Sequence, residues 1–251
     1  MIRAVGLYKR FGDNEVLKGL SLDFEPGTTT VILGSSGSGK SVLMKHLIGL
    51  LKPDRGQVLV DGVDLGSLKD RELHRVRMKF GMVFQMAALF DSMTVFENVA
   101  FPLKEHRKDL GRGALRDRVL SRLDALNLVD ARDRYPGELS GGMRKRVGLA
   151  RAVILDPAVV LYDEPTTGLD PLTTEGVDGM ILEAKKKFGV TSIVISHDIS
   201  SSFRIADKIS FLCQGEIVEQ GPPEVFARSQ NQRVQEFLRS WQRGIAGLAA
   251  S

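Results

Sequence analysis

The sequence predicts an α/β fold in which helices cover a parallel sheet, and three observations carry that prediction. Short apolar runs of strand character alternate with segments of helical apolar spacing. A glycine-rich stretch, GSSGSGKS at 34–41, lies between a predicted strand and a predicted helix. A further apolar run, AVVLY, ends in two carboxylates, Asp163 and Glu164.

The elements follow in order. The first thirty residues read as β structure: Leu20, Leu22 and Phe24 alternate with polar residues until Glu25-Pro26-Gly27 breaks the run. TTTVILG, β-branched and mostly apolar, suits a strand buried on both faces. SVLMKHLIGLL is a helix pattern expected to stop at Pro53. QVLVDGVDL has strand character around an Asp-Gly turn, and FGMVFQ is another short apolar run. From about 86 to 157 the pattern turns helical. Leu115, Val119, Leu123 and Leu126 share one stripe, and Met143, Val147, Ala150 and Ile154 share another. Strand character returns with AVVLY, TSIVIS and KISFLC. The chain shows no internal repeat and no low-complexity stretch.

Composition narrows the function classes. With 251 residues and 43% hydrophobic content, the chain can bury one large core, with room for a sub-domain. A formal net charge of +4 is small for this length and gives only weak support to nucleic-acid binding. Cys213, the single cysteine, excludes an intrachain disulfide and fits a reducing compartment. The N-terminal stretch has no apolar core of signal-peptide length, and no run approaches the roughly 18 apolar residues of a membrane span. These features read as a soluble, cytosolic chain that would meet a membrane only through a partner.

GSSGSGKS matches G-x-x-x-x-G-K-[ST] in the strand-to-helix context that this spacing requires. Gly34, Gly37 and Gly39 allow backbone N–H groups to curl around a phosphate, and the new helix adds the positive end of its dipole. Lys40 supplies a point charge for the β- and γ-phosphates, and the Ser41 hydroxyl is a hard oxygen ligand for Mg²⁺. A flexible Gly/Ser linker would lack both the Lys-Ser pair in register and the helical period behind it. Asp163 suits the metal-holding aspartate that ends such a strand, and Glu164 can accept a proton from the attacking water. An Asp-Glu pair is ordinarily a solvated turn, but the five residues before this one are too apolar for a surface loop.

A second glycine pair opens another predicted helix, in LSGGMRKR at 139–146. Glycine weakens a helix, so a pair in the first turn points to close approach by something else. Ser140 alone reads as an N-cap, which leaves Gly141 and Gly142 unexplained.

With these motifs in order, the chain resembles the ATPase subunits of ABC transporters over roughly residues 1–228. GSSGSGKS is similar to Walker A, VVLYDE to Walker B, LSGGM to the signature motif and TTGLD to the D-loop. Gln85 in FGMVFQ stands at the Q-loop glutamine, and His197 in VISHD at the switch histidine. The resemblance implies a P-loop NTPase (RecA-like) core with an N-terminal antiparallel β region, a helical insertion at about 86–157 and a tail at 229–251. It also implies MgATP as the nucleotide. Adenine would stack on Phe11, with Tyr8 as its rival. The phosphates would lie on Gly34, Ser35, Ser36, Gly37, Ser38, Gly39, Lys40, Ser41 and Val42. Ser140, Gly141 and Gly142 of a second copy would complete the pocket, with Asp170, the D-loop acid, also among the nucleotide-binding residues, so the chain would act as a homodimer with composite sites. Ser41, Gln85 and Asp163 are the implied metal ligands, and Glu164, His197, Lys40 and Gln85 the implied catalytic set. Two positions depart from the commonest pattern. Val42 replaces a threonine that could reach the α-phosphate, and Phe11 replaces a tyrosine.

Within the family, LFDSMTVFENVAFPL, LSGGMRKRVGLARA and GKSVLMKHLIGLLKPD look most like ATPases of the Mla-type systems. That resemblance implies lipid, above all phospholipid, as cargo, together with a membrane permease, an MCE-domain lipid-binding protein and a small accessory subunit. It places the chain on the cytoplasmic face of the inner membrane. Another cargo, or a soluble ABC protein with no permease, is the alternative. Lys104 to Arg118 reads as a solvated basic face or as a surface near the partner or lipid head groups. In the tail, Val234, Phe237, Leu238 and Trp241 fall at i, i+3, i+4 and i+7. That stripe either packs on its own domain or docks on another subunit.

Overall fold

The computed structural model describes the backbone of residues 1–249 and the side chains of residues 1–242. It divides into two compact units: Met1–Arg77 with Ile193–Ser251, and Met78–Ser192.

The first segment of unit one contains β1 (Ile2–Phe11), β2 (Asn14–Phe24), β3 (Thr29–Leu33), α1 (Lys40–Leu47), β4 (Arg55–Val60), β5 (Val63–Asp64) and α2 (Asp70–Arg77). Unit two contains β6 (Phe80–Val83), α3 (Val95–His106), α4 (Arg112–Ala125), α5 (Gly141–Val153), β7 (Val159–Asp163) and α6 (Pro171–Phe188). The chain then returns through β8 (Thr191–Ser196), α7 (Ile199–Ile205), β9 (Lys208–Cys213), β10 (Glu216–Gly221), α8 (Pro223–Ala227) and α9 (Gln232–Ala249).

In unit one, β2, β1, β4 and β5 form an antiparallel sheet in that order. The alternation read at Leu20, Leu22 and Phe24 is the inward face of β2, and all three are buried. Asp61 and Gly62 both take positive φ in the turn from β4 to β5, as an Asp-Gly hairpin requires. A second sheet runs β10-β9-β3-β8. There β3 pairs parallel with β9, from Thr30 opposite Lys208 to Leu33 opposite Phe211, while β10 folds back antiparallel on β9. Every residue of β3 is buried, as its β-branched run requires.

Helix α1 ends earlier than the expected stop at Pro53. Its C-cap is Ile48, and Gly49 adopts the left-handed backbone (φ +66°) that lets the Leu50 and Leu51 N–H groups turn back to the Lys45 carbonyl. A side chain at Gly49 would also strike Leu73, with a Cβ lying 2.6 Å from its Cδ1. A glycine that terminates a helix acts before a downstream proline can.

The core of unit one gathers Leu33, Ile199, Ile209, Phe211, Phe226 and Val234, each contributing roughly 1.5–3 kcal/mol by leaving water. Phe237, Leu238 and Trp241 of α9 lie against this cluster, with the Phe237 ring 4.8 Å from that of Phe211. The apolar stripe of the tail therefore covers its own unit, and residues 250 and 251 lie outside the described residues.

In unit two, β6 pairs parallel with β7 from Phe80 opposite Val159 to Val83 opposite Tyr162. The α4 stripe faces inward, with Val119, Leu123 and Leu126 buried. Helix α3 starts with a complete capping box, Thr94 and Glu97, each side chain bonding the other's backbone N–H. The loop before it is fastened by the buried Asn98, whose amide bonds the Phe90 N–H and the carbonyls of Phe90, Met93 and Thr94. Among the described residues, no helix is long and apolar enough to cross a membrane.

Candidate functional site

The glycine loop of unit one joins β3 to α1. Gly37 and Gly39 hold φ of +77° and +109°, backbone that L side chains rarely adopt, and Gly39 is the N-cap of α1. Gly34 is needed for close approach instead: a Cβ there would lie 2.3 Å from the Leu212 carbonyl oxygen. Lys40 opens the helix and is buried, and its Nζ donates to the Gly34 carbonyl at 2.8 Å and the Ser35 carbonyl at 2.9 Å. The loop thus closes over its own ammonium. Ser38 Oγ is buried and has no hydrogen-bond partner among the described residues, so this cradle holds a polar atom suited to a polar ligand. Ser35, Ser36, Gly37 and Ser41 are exposed, and Val42 is half-buried.

Phe11 and Tyr8 belong to the same unit, on β1. Phe11 is 47% exposed and Tyr8 39%, so neither is a core residue. The Lys9 ammonium lies 5.6 Å from the Phe11 ring centroid, and the Tyr8 hydroxyl rests over Gly19. His197 is the first residue after β8 and is exposed. Asp198 beside it caps α7 by accepting from the Ser201 N–H at 3.0 Å.

Unit two carries the remaining candidates. Asp163 ends β7, half-buried, as the apolar strand before it requires. Glu164 is half-buried with a left-handed backbone, φ 46°, and its Oε2 accepts from the Thr167 hydroxyl at 3.0 Å. A non-glycine residue held there stores about 1–3 kcal/mol of strain. Gln85 lies two residues beyond β6 and is exposed. Ser140 caps α5, accepting from the Met143 N–H at 3.3 Å, and Gly141 and Gly142 form the first turn. Asp170 caps α6, accepting from the Thr173 N–H at 3.0 Å and the Thr173 hydroxyl at 2.6 Å. These two bonds hold the Asp170 carboxyl below the usual carboxylate range. Ser140, Gly141, Gly142 and Asp170 line one open cavity of ≈ 490 Å³ together with Arg146 and Thr173. A Cβ on Gly142 would meet nothing within 4 Å, so this glycine faces open space and not a neighbour in its own fold.

Three residues that hold these loops were missed by reading the sequence. Lys145 is 6% exposed and donates to the Gln85 carbonyl and, at 2.8 Å, to the Pro165 carbonyl. Burial draws its ammonium below the usual lysine range. Arg151 donates to the Ala87 and Ala88 carbonyls at 2.8 and 2.7 Å. Asn98, described above, is the third. One signal was available: Lys145 shares a helix face with Gly148 and Leu149, which marks it as inward-pointing.

As for a metal, no cluster of three or more His, Cys, Asp or Glu able to hold an ion occurs among the described residues. Mg²⁺ takes one or two protein oxygens and fills its shell with water and phosphate. Ser41, Asp163 and Gln85 offer such hard oxygens.

The chain is similar to proteins already known. A profile of the ABC transporter family matches residues 17–167. The "Probable ribonucleotide transport ATP-binding protein mkl" of Mycobacterium leprae is 40% identical over 248 residues, covering 99% of this chain and 71% of that one. The "Intermembrane phospholipid transport system ATP-binding protein MlaF" of Haemophilus influenzae is 39% identical over 95% of this chain and 90% of its own. Among solved structures, the dimeric post-hydrolysis state of the ATP-binding cassette MJ0796, bound to ADP and Pi, superposes with a TM-score of 0.77. It is 32% identical and covers 89% of this chain and 99% of that chain. With both glycine-lined helix starts, the strand-end carboxylates and these matches in agreement, the chain belongs to the ABC transporter family, as an ATP-binding subunit that hydrolyses MgATP.

Proposed function

We propose that the chain drives lipid, above all phospholipid, transport through a separate membrane permease and an MCE-type lipid-binding protein. In this reading it acts as a head-to-tail homodimer on the cytoplasmic face of the inner membrane. Each ATP is bound by the phosphate loop of one copy and closed over by the start of α5 from the other. The observation that carries the composite site is the cavity at Ser140, Gly141, Gly142 and Asp170, where two helix N-termini face solvent.

Lys40 exchanges its loop carbonyls for phosphate oxygens, and the loop N–H groups cradle the β-phosphate. Mg²⁺, when bound, offsets phosphate charge, and Ser41, Asp163 and Gln85 are the residues that would hold it. Phe11 stacks on adenine. Glu164 takes a proton from water as that water attacks the γ-phosphorus in line and ADP departs. His197 orients the γ-phosphate. Ser140, Gly141 and Gly142 of the second copy give it a hydroxyl and two N–H groups, stabilising charge where it develops.

Mixing two inactive variants tests the composite site. Lys40→Ala and Ser140→Arg should each abolish hydrolysis alone, yet a mixed dimer retains one intact site and regains turnover. Silence in a mixture shown to contain mixed dimers would end this reading. The lipid assignment is supported by the likeness to the phospholipid transport protein. The ribonucleotide label on the mycobacterial relative favours a second reading with another cargo. Isolation of the chain from its native membrane separates them: an MCE protein and phospholipid should come with it. The tail's apolar stripe is occupied by its own unit, so an accessory subunit would have to dock on another face of α9.

A further inference from the structure

Helix α5 buries a cation that the reaction scheme above does not use. An ammonium is costly to bury unless acceptors surround it, and a methionine or leucine would fill the same space without that cost. What Lys145 holds explains its presence. Its Nζ bridges the main-chain carbonyl of Gln85, 60 residues away, and that of Pro165, 20 residues away and next to Glu164. Both tethered segments pass through left-handed backbone without glycine: Glu164 at φ 46° in one, Ala87 at 60° and Ala88 at 46° in the other. Such backbone persists only where its surroundings hold it. Arg151, on the same helix, grips the glutamine segment again at Ala87 and Ala88.

We propose that Lys145 is a positioning residue for ATP hydrolysis: its ammonium clasps the main chain at Gln85 and Pro165, so the glutamine loop, the Glu164 turn and α5 move as one body. The inference rests on the roles given above to Gln85 and Glu164. The same helix begins with Ser140, Gly141 and Gly142, so contact at its start is passed to both loops through one side chain.

Lys145→Met keeps the apolar stem and removes every N–H donor, while Lys145→Gln restores donors without the charge. In the full-length chain, Lys145→Met should lower kcat about 10–100-fold, the scale of a small misplacement, with KM for MgATP within about threefold of wild type. Lys145→Gln should recover most of the loss. In a Glu164→Gln background, Lys145→Met should cost clearly less than it does alone, because only the Gln85 arm of the clasp is left to displace. A folded Lys145→Met with kcat within about twofold of wild type would overturn the proposal. So would a full loss that persists in the Glu164→Gln background. If Lys145→Met does not fold, Lys145→Arg decides, because it keeps charge and donors but displaces them. Reduced kcat at preserved KM supports the clasp, and wild-type kinetics refute it. Glu164→Gln alone reports on the base assignment and Lys145→Met alone on the clasp, so the two failures are distinguishable.

Discussion

Two buried lysines, one in each unit, each hold a pair of main-chain carbonyls, and they do so by opposite means. Lys40 bonds Gly34 and Ser35, six and five residues back in its own loop, and glycine supplies the left-handed backbone there. Lys145 reaches Gln85 and Pro165 from a separate helix, and the left-handed residues it steadies are Glu164, Ala87 and Ala88. The first loop is shaped by its own composition. The second pair of segments is shaped by what surrounds it. A loop of the first kind can release its lysine to a ligand and keep its path. The second kind depends on a clasp that has to stay.

The largest expected effect falls on the Glu164 turn. Glu164→Gln keeps shape and hydrogen bonding but removes the proton acceptor. ATP binding should survive while kcat falls about 10²–10⁴-fold, the usual contribution of a general base. Turnover assays beside equilibrium nucleotide binding check this. A variant that turns over at near wild-type rate would show that the strained turn serves geometry alone.

Next in size is Arg151, on the same helix as Lys145. Arg151→Met removes two charge-assisted bonds to the Ala87 and Ala88 carbonyls, bonds that sit partly in solvent. Urea unfolding should show a loss of about 1–2 kcal/mol. Lys40→Ala, whose partners lie in a loop with glycine-set backbone, should lose turnover with a smaller loss of stability. Equal destabilisation by both substitutions would erase the contrast between the two modes of support.

The same contrast explains what could be read before the fold was known. The phosphate loop was legible because its parts are contiguous: three glycines, Lys40 and Ser41 within eight positions, between a strand period and a helix period. The inward faces of β2 and α4 were legible for a like reason, since periodicity is local. Pro53 is a strong breaker in general, yet the position that ends α1 is Gly49, set by its turn and by Leu73. Lys145, Arg151 and Asn98 were invisible because their acceptors are backbone carbonyls, which every residue carries. No residue type marks the far end of such a bond. Only the inward placement of a polar side chain on its own helix hints at it.

The smallest effect is the sharpest test of the backbone argument. Ala88 is exposed with φ 46°, a conformation costing an L residue roughly 1–2 kcal/mol. Ala88→Gly removes that strain but adds freedom to the unfolded chain worth about 0.4–1 kcal/mol, so a net gain of about 0.5 kcal/mol is expected. Gly37 presents the reverse case: φ +77° with open space where a Cβ would go. Gly37→Ala meets no clash, so its expected loss of about 1 kcal/mol comes from backbone geometry alone. Opposite signs in paired urea melts would mean that glycine shapes one loop and outside contacts force the other. A shift in the same direction for both would mean that left-handed backbone is not what sets the two regions apart.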